Sequence, residues 1–323
     1  MALTLLSFTF MGFLVIGVPV AFAIGLSSIT AIMYEDLPLA VAFQQMTSGM
    51  NAFSFLAIPF FIFTGELMLY GGIADRIVAF AKSLVGHVRG GLGMSNVVAC
   101  TLFGGVSGSP VADVSAMGSV MIPMMKREGY HADYAVNVTT HAALVGALMP
   151  TSHNIIIYTL AAGGKVSIAA LIAAGVIPAL ILTLCNLAAA YFVARSRGYP
   201  AGTFPGWAIV GRSLVAATPG LFVVVLIIAG ILSGVFTATE SAAVAVLYAL
   251  ALTIFVYRSL TWDQFVRAAS KAVKTTGVVL LLIGISATFG YLISFYGVAE
   301  KTGELMASVS TSPWAIFPVS YTH

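Results

Sequence analysis

Charge is what this sequence has least of. Of its 323 residues, 8% are Asp, Glu, Lys or Arg and 60% are hydrophobic. A soluble domain carries roughly 25% charged residues, so this scarcity excludes an ordinary water-soluble fold and makes lipid the main solvent. The net charge of +3 is too small to argue for nucleic acid as a partner. Cysteine is also scarce. Cys100 and Cys185 both lie in apolar runs, which argues against a disulfide framework or a thiolate metal site and predicts two buried free thiols. No basic n-region precedes the first apolar run, which is too long for a signal peptide and reads as a retained span.

What remains is apolar sequence of membrane length. A helix needs about 20 apolar residues to cross the hydrocarbon core. Spans are predicted near 3–34, 51–71, 132–163, 168–194, 213–233, 241–257 and 275–296, the first long enough to be strongly tilted or broken. A further apolar stretch begins near Pro313 and stops at Pro318-Val319-Ser320-Tyr321-Thr322-His323. About six residues cannot cross a bilayer, so the expectation there is a truncated or frame-shifted terminus.

One segment breaks the pattern. Gly104-Gly105-Val106-Ser107-Gly108-Ser109-Pro110-Val111-Ala112-Asp113 sits between apolar arms, within 94–125. A carboxylate at that depth is costly unless it faces protein, water or an ion, and non-helical backbone is tolerated there only if buried in protein or lining a cavity. The segment is either one broken span or a re-entrant hairpin. If it is a hairpin, twelve of the fourteen basic residues share one side and only Lys165 and Lys301 lie opposite; if it crosses, the split is eight against six. The positive-inside rule favours the hairpin. Its mouth is then cytoplasmic, its tip near mid-membrane, the N-terminus cytoplasmic and Glu240 exterior. Residues 72–91 mix Asp75, Arg76, Lys82 and Arg89 with an apolar set and read as an amphipathic helix at the cytoplasmic interface, either a hinge arm or a surface linker.

The chemistry of the tip follows from its oxygens. Ser107, Gly108 and Ser109 offer two hydroxyls and three carbonyls, the donor type that holds sodium in unwound membrane helices. Asp113 can tune such a site, or anchor the tip through a backbone N–H at the helix start. Small residues would also serve close helix packing, which leaves Asp113 unexplained. A second break follows at Gly146-Ala147-Leu148-Met149-Pro150-Thr151-Ser152-His153-Asn154. Proline removes a donor and frees a carbonyl one turn earlier, so this span is predicted to be a discontinuous helix with a polar lining. His153 is placed to bind a substrate oxygen or carry a proton, with a satisfied buried histidine as the plainer reading for it and for His141. In the third motif, Thr237-Ala238-Thr239-Glu240, Thr239 is predicted to cap the next helix and Glu240 suits its positive end. Glu240 reads either as part of a capped turn or as part of a docking face.

Together these blocks resemble the large membrane subunit of tripartite ATP-independent periplasmic (TRAP) transporters, the DctM-like family, from about Ala2 to Phe317. The resemblance is carried by Phe55-Leu56-Ala57-Ile58-Pro59-Phe60-Phe61 with Thr64-Gly65-Glu66-Leu67-Met68, by Gly105-Val106-Ser107-Gly108-Ser109 with Ala112, Asp113, Gly118, Pro123 and Met124, and by the Thr237–Leu250 block. It implies an all-α polytopic membrane protein of the bacterial inner membrane and an elevator-type secondary transporter. It implies no enzymatic activity and no cofactor beyond sodium as coupling ion. The implied partners are a small four-helix membrane subunit and a periplasmic solute-binding protein, and the implied substrates are organic acids such as dicarboxylates, sugar acids and keto acids. By motif position Ser107, Gly108, Ser109, Gly146, Leu148 and Thr151 would form the first sodium site, while Asp113, Ser152, His153 and Asn154 would support the tip or meet substrate.

The organisation this implies is N-terminal scaffold helices at 1–71, an arm at 72–91, hairpin plus broken helix at 92–163, further scaffold and second-repeat helices at 164–274, and the start of a second arm and transport half at 275–323. Two departures stand out. Thr151 replaces the second of paired prolines and Ala238 replaces the proline of Thr-Pro-Thr-Glu. Family members run roughly another hundred residues, through an inverted second hairpin and broken helix. The first repeat is therefore expected complete and the second incomplete, with half the site carried here. Gly105-Val106-Ser107-Gly108 also fits the Gly-x-Ser-Gly pattern of rhomboid-like intramembrane proteases, with His141 or His153 as base; a passive channel is a third reading.

Overall fold

The structure, a computed structural model, describes residues 1–162 and 166–309. Lys165, used in the charge argument, and the terminal stretch from Pro313 lie outside the described residues. Among the described residues all regular structure is helical, with one isolated bridge between Arg89 and Ala201. The chain divides into two compact units, one made of Met1–Ala52 and the chain from Gly277 onward, the other of Phe53–Thr276.

In the first unit the long apolar run is two helices, α1 (Ala2–Val15) and α2 (Val20–Tyr34). Gly17 adopts φ +88° and Pro19 cannot donate a helical hydrogen bond, so the helix stops between them. Leu6, near the start of α1, shares a buried cluster with Ala31 and Ile32, near the end of α2, and with Leu292. The pair is therefore an antiparallel hairpin, which corrects the expectation of a single crossing over 3–34. At 14 and 15 residues, each arm is only about 21–23 Å long at 1.5 Å per residue. Helix α3 (Ala40–Met50) packs on the chain's later part, where the Thr288 hydroxyl donates to the Ala42 carbonyl at 3.1 Å.

The second unit holds α4 (Ala57–Tyr70), entered through a 3-10 turn at Phe53–Leu56, and α5 (Ile73–Val85). Gly72 at φ +71° turns one into the other. Helix α5 is amphipathic, but its apolar face (Ile73, Ile77, Val78, Ala81) is buried in protein, against α6 (Gly91–Ser107) and α11 (Trp207–Leu232). That differs from a helix resting on lipid. Gly220 of α11 admits Ile73, and Arg76 lies 3.8 Å over the ring of Tyr257.

Next come α7 (Pro110–Arg127), α8 (Ala132–Ala143) with a 3-10 turn at Leu144–Leu148, α9 (His153–Ala161) and α10 (Ile168–Ser196). Asn96 ties the first arm to the others. Its amide donates to the Thr139 hydroxyl of α8 at 2.6 Å and reaches the Met125 sulfur of α7 at 3.9 Å, and its carbonyl accepts from Cys100 at 3.4 Å. Below it Tyr130, Tyr134 and Tyr199 cluster with Leu92 and Met125, and Arg197 pairs with Asp133 at 2.8 Å. Cys100 is buried as expected, but Cys185 is exposed on α10, because its run is a lipid-length helix with few residues packed behind it.

Helix α12 (Ala238–Ala251) packs along α4 and runs into a π-helical turn at Leu252–Val256. Thr237, not Thr239, is its cap. Helix α13 (Trp262–Phe295) is longer than predicted, so Lys271 and Lys274 lie in a helix and not in a loop. After Gly297, at φ +60°, comes α14 (Val298–Val309). Among the described residues, five helical stretches are long and apolar enough to cross a membrane, by length and composition.

Candidate functional site

The 94–125 segment is a helical hairpin. Helices α6 and α7 are joined by Gly108 and Ser109, and Leu92 and Met125 meet at its open end. Gly108 sits at φ +61°, where a side chain is strained, and an added Cβ would lie 2.6 Å from the Ser152 nitrogen. Only glycine lets the tip come that close to the next break. Ser109 caps α7: its hydroxyl accepts from the Ala112 N–H at 3.5 Å, and its carbonyl accepts from the Asp113 N–H at 2.9 Å. Pro110 at the first helical position needs no donor.

Asp113 is fully buried. Its Oδ1 accepts from the Ser107 hydroxyl, so it anchors the tip through a side chain and not through a backbone N–H as the sequence suggested. Its Oδ2 has no hydrogen-bond partner among the described residues. That oxygen points between two glycines: a Cβ on Gly104 would stand 2.9 Å from it, and one on Gly146 would collide with it.

The second break faces the first. Helix α8 tightens into its 3-10 turn, Met149 is extended at ψ 155°, and α9 restarts at His153. Buried Thr151 donates to the Gly105 carbonyl at 3.2 Å, across the gap between the breaks. Ser152 is buried behind Gly108 and its hydroxyl accepts from the Asn154 N–H at 3.3 Å. Ser107, Gly108, Asp113, Gly146, Thr151 and Ser152 are thus brought together. Three of the expected residues stand apart. The Leu148 carbonyl lies against Gly175 of α10, His153 is half-buried, and Asn154 is exposed. Glu240 lies elsewhere, exposed, where it completes a capping box by accepting from the Thr237 N–H at 2.8 Å.

Sequence reasoning did not count Gly104 and Gly105 among the candidate site residues. Their carbonyls meet Thr151, and the signal was two adjacent glycines within an otherwise apolar helix. It also missed that Lys271 reaches Glu66, which is buried in α4, at 3.1 Å.

Two facing backbone breaks around a buried carboxylate form a candidate binding site within apolar helices. The Ser107 hydroxyl is given to Asp113, not to a histidine, and His141 bonds the Asn137 carbonyl through Nδ1 at 2.8 Å. Among the described residues no histidine is hydrogen-bonded to Ser107, so the histidine base of a rhomboid-like site finds no support. Comparison with known sequences decides the family. The model of the tripartite ATP-independent periplasmic transporter DctM component matches residues 7–321. The chain belongs to the DctM family.

Its relatives agree. The sialic acid TRAP transporter large permease protein SiaM of Vibrio cholerae is 37% identical over 307 residues, covering 95% of this chain and 71% of that protein. The C4-dicarboxylate TRAP transporter large permease protein DctM of Rhodobacter capsulatus is 33% identical over 315 residues, covering 92% and 71%. The sialic acid TRAP transporter permease protein SiaT of Haemophilus influenzae is 36% identical, covering 93% and 49%. These DctM-family proteins are permease components and not enzymes, and the chain is a multi-pass membrane protein of that kind.

Proposed function

We propose that this DctM-family chain binds sodium where the hairpin tip meets the broken helix, and uses it to drive uptake of an organic carboxylate. The observation that carries the reading is the free, buried Oδ2 of Asp113 between two backbone breaks. Hard cations take oxygen ligands, including the carbonyls of unwound helices. The Ser107 and Thr151 hydroxyls and the Gly104 and Gly105 carbonyls are oxygens at that junction. A sodium ion there would offset the charge of Asp113, which otherwise costs a few kcal/mol or more in a membrane interior.

The substrate class follows the relatives, whose names specify sialic acid and C4-dicarboxylates. The partners we assign are a periplasmic solute-binding protein and the small four-helix membrane subunit, with exposed Glu240 on a docking face. The motion we assign is an elevator displacement of the hairpin and broken helix together. The backbone pattern of α4, a left-handed glycine and α5 recurs as α13, Gly297 and α14, which supports a second repeat beginning near α13.

Topology follows from charge and the N-terminal hairpin. The first 75 residues hold no Lys or Arg, so the hairpin leaves the basic balance unchanged and keeps 72–91 cytoplasmic. Because α1 and α2 fold back on each other, the N-terminus lies on the side of Glu35, which this orientation makes exterior. Counting a single crossing over 3–34 would instead put the N-terminus in the cytoplasm.

Uptake in cells supplied with both partners should require sodium and survive ATP depletion; uptake unchanged in choline would sink the coupling. Cysteines placed near Arg89 and Lys126 should be labelled from the cytoplasm and one at Ala2 from outside. Labelling of the first two from opposite faces would refute the re-entrant hairpin.

A further inference from the structure

A second polar feature lies beside the tip, and the cation reading does not use it. Glu66 is 5% exposed in α4, and its Oε1 pairs with the Lys271 Nζ of α13 at 3.1 Å. Its other oxygen, Oε2, has no partner among the described residues. Glu66 follows Gly65, whose added Cβ would stand 3.2 Å from the Ser107 Cα, so the ion pair adjoins the hairpin tip. A cavity of about 90 Å³, room for several waters or one carboxylate group, is lined by Glu66, Lys271, Thr275, Ser107 and Ser109.

An ion pair within apolar helices is weak evidence of stabilisation, since packed apolar side chains do as well. Ionisable residues in such helices more often mark a ligand path. Lysine has three donors, and among the described residues Glu66 is the one partner of Lys271. The Lys271 side chain is 41% exposed and lines the cavity, so its ammonium has two donors beyond the one given to Glu66.

We infer that this cavity is a carboxylate-binding subsite, in which Lys271 takes the substrate's carboxylate and Glu66 positions Lys271. The inference rests on the sodium reading of the tip and deepens it. Glu66 and Lys271 together are neutral, so a bound carboxylate leaves the cavity with one negative charge. A cation held at its Ser107 wall then favours the carboxylate, and by reciprocity the carboxylate favours the cation. Thr275, Ser107 and Ser109 supply further polar atoms at the wall.

The test is calorimetric titration of the purified chain in nanodiscs with succinate and with sialic acid, in sodium chloride and in choline chloride. At least one probe should bind in sodium, and about tenfold more weakly in choline. Lys271→Gln should weaken that probe by about tenfold or more, while sodium still raises the melting temperature. If Lys271→Gln fails to fold because Glu66 is stranded, the neutral double variant Glu66→Gln/Lys271→Gln carries the same expectation. Glu66→Gln alone keeps the ammonium but loses the charge that positions it, and should weaken the probe, though less than Lys271→Gln does.

Binding of the probe unchanged in both Lys271 variants would overturn the subsite. So would equal loss in all three variants, which marks a purely structural clamp, or failure of both probes to bind the unaltered chain. If sodium leaves melting unchanged while Lys271 still governs probe binding, the sodium reading falls and the subsite stands.

Discussion

Replacing Gly104 by alanine tests the contact between the two breaks more sharply than removing any side chain. The added Cβ would lie 2.9 Å from Asp113 Oδ2 and 2.9 Å from the Gly146 Cα. Carbon atoms rest at about 3.5–4.0 Å, so α6 and the broken helix must separate by roughly 0.6–1.1 Å. The obstacle on one side is backbone and cannot rotate away. Overpacking of this kind costs about 1–3 kcal/mol, against a helix-propensity gain of up to about 1 kcal/mol for alanine over glycine.

Gly118→Ala is the control. It carries the same propensity gain, and its Cβ would meet only the Ile122 Cδ1 at 3.3 Å and the Thr139 Cγ2 at 3.7 Å. The propensity terms cancel between the two, leaving Gly104→Ala about 1–3 kcal/mol less stable than Gly118→Ala. At roughly 2–4 °C per kcal/mol, thermal melts in one detergent should separate by several degrees. Gly104→Ala should also lose the sodium-dependent rise in melting temperature, which Gly118→Ala keeps. Equal melting and equal sodium response in the two variants would refute the close approach of α6 to the break.

The other outcomes are as definite. Thr151→Val removes the hydroxyl that reaches the Gly105 carbonyl and should cost about 1 kcal/mol with a weaker sodium response, whereas Thr151→Ser should keep both; melts with and without sodium decide it. Glu240→Ala deletes half a capping box, an expected loss of about 0.5–2 kcal/mol, and should leave the sodium shift intact; a lost shift would place Glu240 in the ion site. N-ethylmaleimide should label exposed Cys185 on the folded chain and buried Cys100 only after denaturation, as read by mass spectrometry.

Much of this was legible because lipid simplifies the code. Apolar runs of span length located α4, α10, α11, α12 and α13, and the Gly-Ser-Pro and Met-Pro-Thr breaks located the two ends that face each other. The charge asymmetry pointed to a hairpin, and its geometry is seen in Leu92 meeting Met125. What escaped was whatever depends on a partner far away in sequence. The run at 3–34 read as one tilted or broken span, and only the shared cluster of Leu6 and Ile32 shows a reversal. Lys271 looked like a loop charge because its partner, Glu66, is two hundred residues earlier. The Leu148 carbonyl faces Gly175, a direction that no local pattern encodes.

The Asn96 bridge has a mechanical meaning. One amide holds Thr139 of the broken helix at 2.6 Å and touches Met125 of the hairpin's second arm, from within the first. Three helices that supply one set of oxygens are thereby pinned below those oxygens, like the legs of a tripod bolted at the hub. Under the transport motion proposed above, a cargo seated on top would be carried as if in a closed hand: the grip need not reshape itself for the hand to move.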